Sequence, residues 1–144
     1  MASLPIHWIV ARAYAQATEE EERVVQALEA AVSGGVGSRD TLEGQFGNPV
    51  VVLRRRIERS EDLRSTWERW RGAGLLATLK DDLEERLDDD GVLHFRVDKQ
   101  SAFGGTLAPA RGADPIDIQV KLKAYPAKAE EVRRVARTLL AEAD

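Results

Sequence analysis

Three guanidinium groups stand side by side in Arg54-Arg55-Arg56, at the end of the apolar run Val50-Val51-Val52-Leu53. Side chains alternate across a strand, so a strand over 50–57 with Val51, Leu53 and Ile57 inward turns Arg54 and Arg56 to the opposite face. Two further segments alternate in the same way. Over 92–98, Leu93, Phe95 and Val97 point inward and His94, Arg96 and Asp98 outward. Over 116–125, Ile116, Ile118, Val120, Leu122 and Ala124 share one face, and Asp117, Gln119, Lys121, Lys123 and Tyr125 share the other. If helices cover the apolar side, Arg54, Arg56, Arg96, Lys121 and Lys123 gather on one open surface. Such a surface neutralises phosphates, while Tyr125, with Tyr14 or Trp8, offers a ring on which a base stacks. The same residues also fit a half-solvated sheet whose charges pair across strands with Asp98 and Asp117. Trp8, Val50 and Val52 leave apolar area on that side, which fits a dimer face.

Asp98-Lys99-Gln100, directly after a strand, is a second candidate. A carboxylate, an ammonium and an amide together suit a phosphate or a ribose, or acid-base work in a small metal-dependent nuclease. No nucleophile accompanies them, and His7 and His94, the two histidines, form no triad or ligand set. No zinc spacing and no phosphate-cradling glycine loop before a helix is present, so no metal site and no cofactor is expected. The acidic runs Glu19 to Glu22 and Asp88 to Asp90 read as solvated helix ends rather than cation sites.

The 144 residues carry 21 Lys+Arg against 25 Asp+Glu, a formal charge of −4, so any nucleic-acid contact is confined to a local basic patch. The absence of cysteine excludes disulfides and thiolate chemistry and suits a reducing cytoplasm. No apolar run is long enough to cross a membrane. Length and composition predict one domain over 1–144, cytoplasmic and without a membrane partner.

The elements that position these residues follow from periodicity. Residues 5–14 predict a strand, with Ile6, Trp8, Val10, Arg12 and Tyr14 on one face and His7, Ile9, Ala11 and Ala13 on the other. Thr18 and Glu21 predict a capping box for a helix that Gly34-Gly35 stops. A short strand near 39–43 leads through Glu43, Gly44, Gly47, Asn48 and Pro49, a turn-rich set, into the strand 50–57. Ser60 is expected to cap a helix with Leu63, Trp67 and Trp70 on one stripe, and Leu75 to Leu87 to form another. A polar loop from Lys99, a short strand at 106–108 and a last helix opening at Pro126 complete the chain. The fold class is α+β: a single, largely antiparallel sheet with amphipathic helices packed on one face.

Two segments carry a resemblance. Glu43-Gly-Gln-Phe-Gly-Asn-Pro-Val50 and Leu93-His-Phe-Arg-Val-Asp-Lys-Gln-Ser-Ala-Phe-Gly104 resemble the small archaeal RNA-binding-domain family described as predicted exosome subunits. The likeness spans almost the whole chain, from the opening strand and the Thr-Glu-Glu helix start to the lysine strand that leads into Tyr125-Pro126. It implies a fold similar to the large-subunit ribosomal protein that binds 5S RNA, and a cytoplasmic role in RNA processing, degradation or translation. The positions that match are Glu43, Gly44, Gly47, Asn48 and Pro49, then Arg96, Asp98, Lys99, Gln100 and Gly104. Between the two glycines that family often has histidines, whereas this chain has Gln45 and Phe46.

Residues and resemblance together lead to a non-enzymatic RNA-binding protein. It would use Arg54, Arg56, Arg96, Lys99, Lys121 and Lys123 for backbone contacts and Gln100 or Tyr125 for base contacts, beside an exosome- or ribosome-related protein partner. The alternative is a protein–protein adaptor or a homodimer that uses the open face or an edge; the third reading is the nuclease.

Overall fold

A computed structural model describes residues 4–44 and 47–141; Gln45 and Phe46 lie outside the described residues. Five strands, β1 (Ile6–Ala15), β2 (Val36–Glu43), β3 (Pro49–Ile57), β4 (Val92–Val97) and β5 (Ile116–Leu122), form one sheet in the order β2-β3-β1-β5-β4. Every neighbouring pair is antiparallel. The helices are α1 (Glu21–Ala31), α2 (Ser60–Gly72), α3 (Leu75–Leu79), α4 (Leu83–Arg86), α5 (Lys99–Phe103) and α6 (Ala129–Ala141). The chain is therefore the expected α+β architecture, an open antiparallel sheet with helices on one side.

Register shows which side chains share a face. Ile9, Ala11, Ala13 and Ala15 of β1 stand opposite Ile57, Arg55, Leu53 and Val51 of β3, and Ile9 and Ala11 also stand opposite Val120 and Ile118 of β5. Leu93 and Phe95 extend these rows onto β4. This face is buried with the apolar stripes of α1, α2, α3 and α6. Trp67 and Trp70 of α2 are wholly buried, their ring centroids 5.8 Å apart, and Trp70 meets Phe95 edge-on at 5.1 Å. The tryptophan stripe is thus core, as its helical spacing implied.

Several local expectations are corrected. Ile6 does not share a face with Trp8: the β1–β5 register shifts between them, and Ile6 is 1% exposed within the core. Arg55 points to the helix side, as the alternation of β3 implies, and there it donates to the Gly34 carbonyl and pairs with Glu29. No Thr18 capping box forms; Glu20 precedes α1 in extended backbone without a side-chain cap, and the neighbouring Glu19 accepts from Lys99. Ser60 is the first residue of α2 rather than its cap. The expected single helix over 75–87 is split into α3 and α4 around Asp82, in a stretch where Asp81, Asp82, Glu84 and Glu85 repel one another. No strand forms at 106–108. Instead Ala108 and Ala110 bond the outer edge of β4, Asp98 N donating to Ala108 O and Ala110 N to Arg96 O. Helix α6 opens at Ala129, three residues after Pro126.

The turn between β2 and β3 closes where the glycine-rich motif lies. Gly44 N donates to Asn48 O at 2.7 Å, and Gly44 is backed so closely by that carbonyl that a Cβ would sit 2.6 Å from it. Gly47 takes a φ of +79°, a backbone that other residues rarely adopt.

The two buried indoles differ in one bond. Trp70 Nε1 donates to Ala31 O, at the carboxyl end of α1, over 2.7 Å, whereas Trp67 Nε1 has no hydrogen-bond partner. Trp70→Phe orphans a buried carbonyl and Trp67→Phe removes an orphaned donor, so the first variant is expected to cost about 1–2 kcal/mol more stability than the second. Urea denaturation of the two variants measures this difference.

Candidate functional site

The face opposite the packed helices is bordered at β4 by Asp82, Glu85 and Arg86, and the registers assemble its residues in rows. One row runs Ser38, Arg54, Arg12, Asp117, Arg96 across all five strands, and the next runs Val36, Arg56, Val10, Gln119, His94. Trp8 and Tyr14 flank these rows on the central strand. The Arg56 guanidinium lies 4.8 Å from the Trp8 ring centroid, and that of Arg12 lies 5.6 Å from the Tyr14 ring. Both distances fall within cation–π reach and hold flat, hydrogen-bonding groups against aromatic faces.

Each guanidinium also meets a carboxylate. Asp117 Oδ2 accepts from Arg12 at 3.1 Å, and its Oδ1 lies 3.2 Å from Arg96 Nε, so one carboxylate spaces two arginines. Arg54 pairs with Asp40 at 3.0 Å and Arg56 with Glu58. The arginine side chains are 34–70% exposed, and pairs so open to water contribute only about 0–1 kcal/mol each. Towards β4 the surface turns acidic: Asp82 and Glu85 line a cleft beside Arg96, and His94 Nε2 lies 2.7 Å from Asp88 Oδ2. Burial raises the Asp88 pKa, but hydrogen bonds from His94 and from the Val92 and Asp90 amides outweigh it and hold that carboxyl below the ordinary range.

Arg54, Arg56, Arg96 and Lys121 therefore lie on one surface, with Lys121 Nζ donating to the Asp90 carbonyl. Lys123 and Tyr125 fall beyond the end of β5. Lys123 lines a small cleft with His7 and Glu58, and Tyr125 is 79% exposed, apart from the arginine rows. Gln100 is exposed on α5, near Glu19, Glu20 and Arg23. Of the residues central to the face, Trp8 and Tyr14 were expected as stacking rings beside Tyr125, whereas Arg12 was not among the charged contacts; the alternation of Trp8, Val10, Arg12 and Tyr14 through β1 was its signal.

Lys99 departs furthest from expectation. Only 4% of it is exposed, and its ammonium donates to Tyr14 O at 3.0 Å, to Glu19 Oε1 at 3.0 Å and to Asp114. Three oxygen acceptors saturate the three ammonium donors, so none is directed at a ligand. Asp98 instead caps α5, accepting from Ser101 N at 2.9 Å and Ser101 Oγ at 2.7 Å, which depresses its pKa. Among the described residues no group of three or more His, Cys, Asp or Glu is placed to hold a metal ion, and no helix is long and apolar enough to cross a membrane.

Residues 8–122, from Trp8 on β1 to Leu122 at the end of β5, match the family model described as RNA binding. The chain belongs to this family. It is 34% identical over 148 residues to the RNA-binding protein PAB1135 of Pyrococcus abyssi, covering 95% of both chains. Among solved structures it is similar to Mth689, a DUF54 protein from Methanothermobacter thermautotrophicus, at 37% identity and a TM-score of 0.78, covering 94% of this chain and 98% of that one. It is also similar to AF2318 of Archaeglobus fulgidus at 30% identity and a TM-score of 0.83, with coverage of 93% and 99%. The match to the RNA-binding family thus encloses the whole arginine face.

The Lys99 cluster ties β1, α5 and the loop before β5 together, and its loss is expected to act on stability. Lys99→Met leaves Glu19 and Asp114 facing each other and costs about 2–3 kcal/mol, less than a fully buried pair because both carboxylates reach water. Burial raises the Glu19 pKa, but bonds from Lys99 and the Gln16 amide more than offset this and place it below 4.5. A depressed carboxyl contributes stability above its unfolded pKa that is lost as pH falls through the folded one. Wild-type stability should therefore drop on acidification below about pH 4.5, and Lys99→Met should flatten that drop; chemical denaturation across pH checks both.

Proposed function

We propose that this protein binds RNA directly through its open sheet face and performs no catalysis there. The observation that carries the reading is the convergence of Arg12, Arg54, Arg56 and Arg96 from three strands, β1, β3 and the edge strand β4, onto one open surface, around Trp8 and Tyr14. Guanidiniums neutralise phosphates, and rings already stacked on guanidiniums leave their other faces for unpaired bases. Family membership and the similarity to PAB1135, named as an RNA-binding protein, support the same reading. Lys121 adds a fifth cation at the rim; Lys99, committed to Glu19 and Asp114, is left out. Gln100 and Tyr125 lie away from the rows and are assigned secondary contacts at most.

The acidic β4 flank sets a direction: RNA runs along β3 and β1 and avoids the side of Asp82, Glu85 and Asp88. In the cell the protein serves as an accessory in RNA processing and degradation or in translation, beside an exosome- or ribosome-related complex, as the family resemblance implies. The fold similarity to the ribosomal 5S-RNA-binding protein belongs to that same proposal.

Replacing Arg54 and Arg56 together with Glu is expected to weaken single-stranded RNA binding at least about tenfold and to flatten the salt dependence by one to two units of log–log slope. Both side chains are solvent-exposed, so circular dichroism should be unchanged. Tyr14→Ala should cost about 1–3 kcal/mol of affinity with the slope preserved, since stacking carries no counterion release. Fluorescence anisotropy at several salt concentrations measures both variants; an affinity untouched by the double charge reversal would refute the assignment of this face.

A further inference from the structure

The two edges of the sheet are treated differently. Along the outer side of β4, Asp88 N donates to Val92 O, Asp98 N to Ala108 O and Ala110 N to Arg96 O, so flanking segments occupy the edge. At the other end β2 pairs with β3 through eight consecutive residues without a bulge, and among the described residues no strand pairs with its outer side. All eight residues of β2 are exposed. Natural edge strands are commonly protected by uncompensated charges, lysine above all, or by proline, bulges or cover. Strand β2 has no lysine or proline; of its charged residues Arg39 and Asp40 are compensated within the chain by Glu21 and Arg54, and it adds two exposed apolar side chains, Val36 at 75% and Leu42 at 50%, both on the open face.

We propose that β2 is the pairing edge of a two-fold symmetric homodimer, in which the two sheets become one continuous antiparallel sheet. The occupant is a second copy because β2 is complementary to itself. A two-fold axis perpendicular to the sheet keeps each side chain on its own face, so residues directly opposite must have positions that sum to an even number. With Arg39 on the axis, Val36 stands opposite Leu42 of the second copy, and Leu42 opposite its Val36. Ser38 then faces Asp40 of the second copy on each side, a hydroxyl donor against a carboxylate. The register centred on Asp40 sets two carboxylates face to face and leaves Val36 without an apolar partner; the one centred on Ser38 does not pair Leu42 at all. The Arg39 pair on the axis lies on the helix side, where each guanidinium is bound to Glu21 of its own chain at 2.9 Å, which offsets the repulsion.

Seven residue pairs bury less surface than a standard stable interface, so the dimer is expected to dissociate in the micromolar range. The inference is independent of RNA. Its consequence is that Arg54 and Arg56 of both copies line one uninterrupted face, separated by the width of the two β2 strands.

Light scattering from about 1 to 300 μM protein, without nucleic acid, tests the association, and a mass rising from one chain towards two is expected over that range. Leu42→Lys, at an exposed site that leaves the monomer fold intact, should raise the dimer dissociation constant at least about tenfold. The absence of cysteine makes the register readable: Arg39→Cys should cross-link to itself under mild oxidation, and much faster than Asp40→Cys. A single-chain mass at every concentration, or a dimer indifferent to Leu42→Lys, would overturn the proposal. Faster cross-linking of Asp40→Cys than of Arg39→Cys would overturn the register.

Discussion

The whole arrangement hangs on the alternation within β1, the strand with sheet on both sides. Ile9, Ala11, Ala13 and Ala15 face the helices, and Trp8, Val10, Arg12 and Tyr14 face the open side. Three alanines in a row on the inner face leave little side chain between the sheet and α1, which packs against this strand. A slip of one residue would thrust Arg12 and Tyr14 into that space and expose the alanines, so the register is strongly determined. Because β3 and β5 are both paired to β1, its register also determines which of their arginines and lysines emerge. The same strand gives the Tyr14 carbonyl to the Lys99 ammonium, which anchors α5 and the loop holding Asp114 to the sheet centre.

A chain of net charge −4 presents a basic surface by sorting its charges rather than by excess. Carboxylates concentrate at the start of α1, over 81–85 and over 88–90, while arginines emerge from β1, β3 and β4. On the open face itself Asp40, Glu58 and Asp117 hold the guanidiniums apart and in place. Half-exposed pairs of this kind position side chains without strongly stabilising the fold. The arrangement combines pre-oriented cations with a weak lock.

Much of this was legible in the sequence wherever a strand is apolar on one face only. The outward arginines of β3 and the inward Leu93, Phe95 and Val97 followed from period-two alternation, as did the buried tryptophans from a helical stripe. The features that were misread depend on contacts between distant segments. Lys99 sits in a polar Asp-Lys-Gln segment typical of an exposed loop, and its burial is caused by Glu19 and Asp114, which no local pattern joins to it. Arg55 is inward by alternation, but its partners there, the Gly34 carbonyl and Glu29, are likewise joined to it by no local pattern. In β1 both faces are partly apolar, so the contrast that singles out an open face is faint, and alternation places Arg12 with Trp8 and Tyr14 without marking it as a contact.

The central claim is that RNA lies on the open face along β1 and β3. Ultraviolet cross-linking to uridine-containing single-stranded RNA, followed by mass spectrometry of the cross-linked peptides, tests it most directly. Adducts are expected on peptides that contain Trp8 and Tyr14, lost in competition with unlabelled RNA. Adducts confined to the helix side, to Phe103 or to Tyr125, or none at low salt, would contradict it.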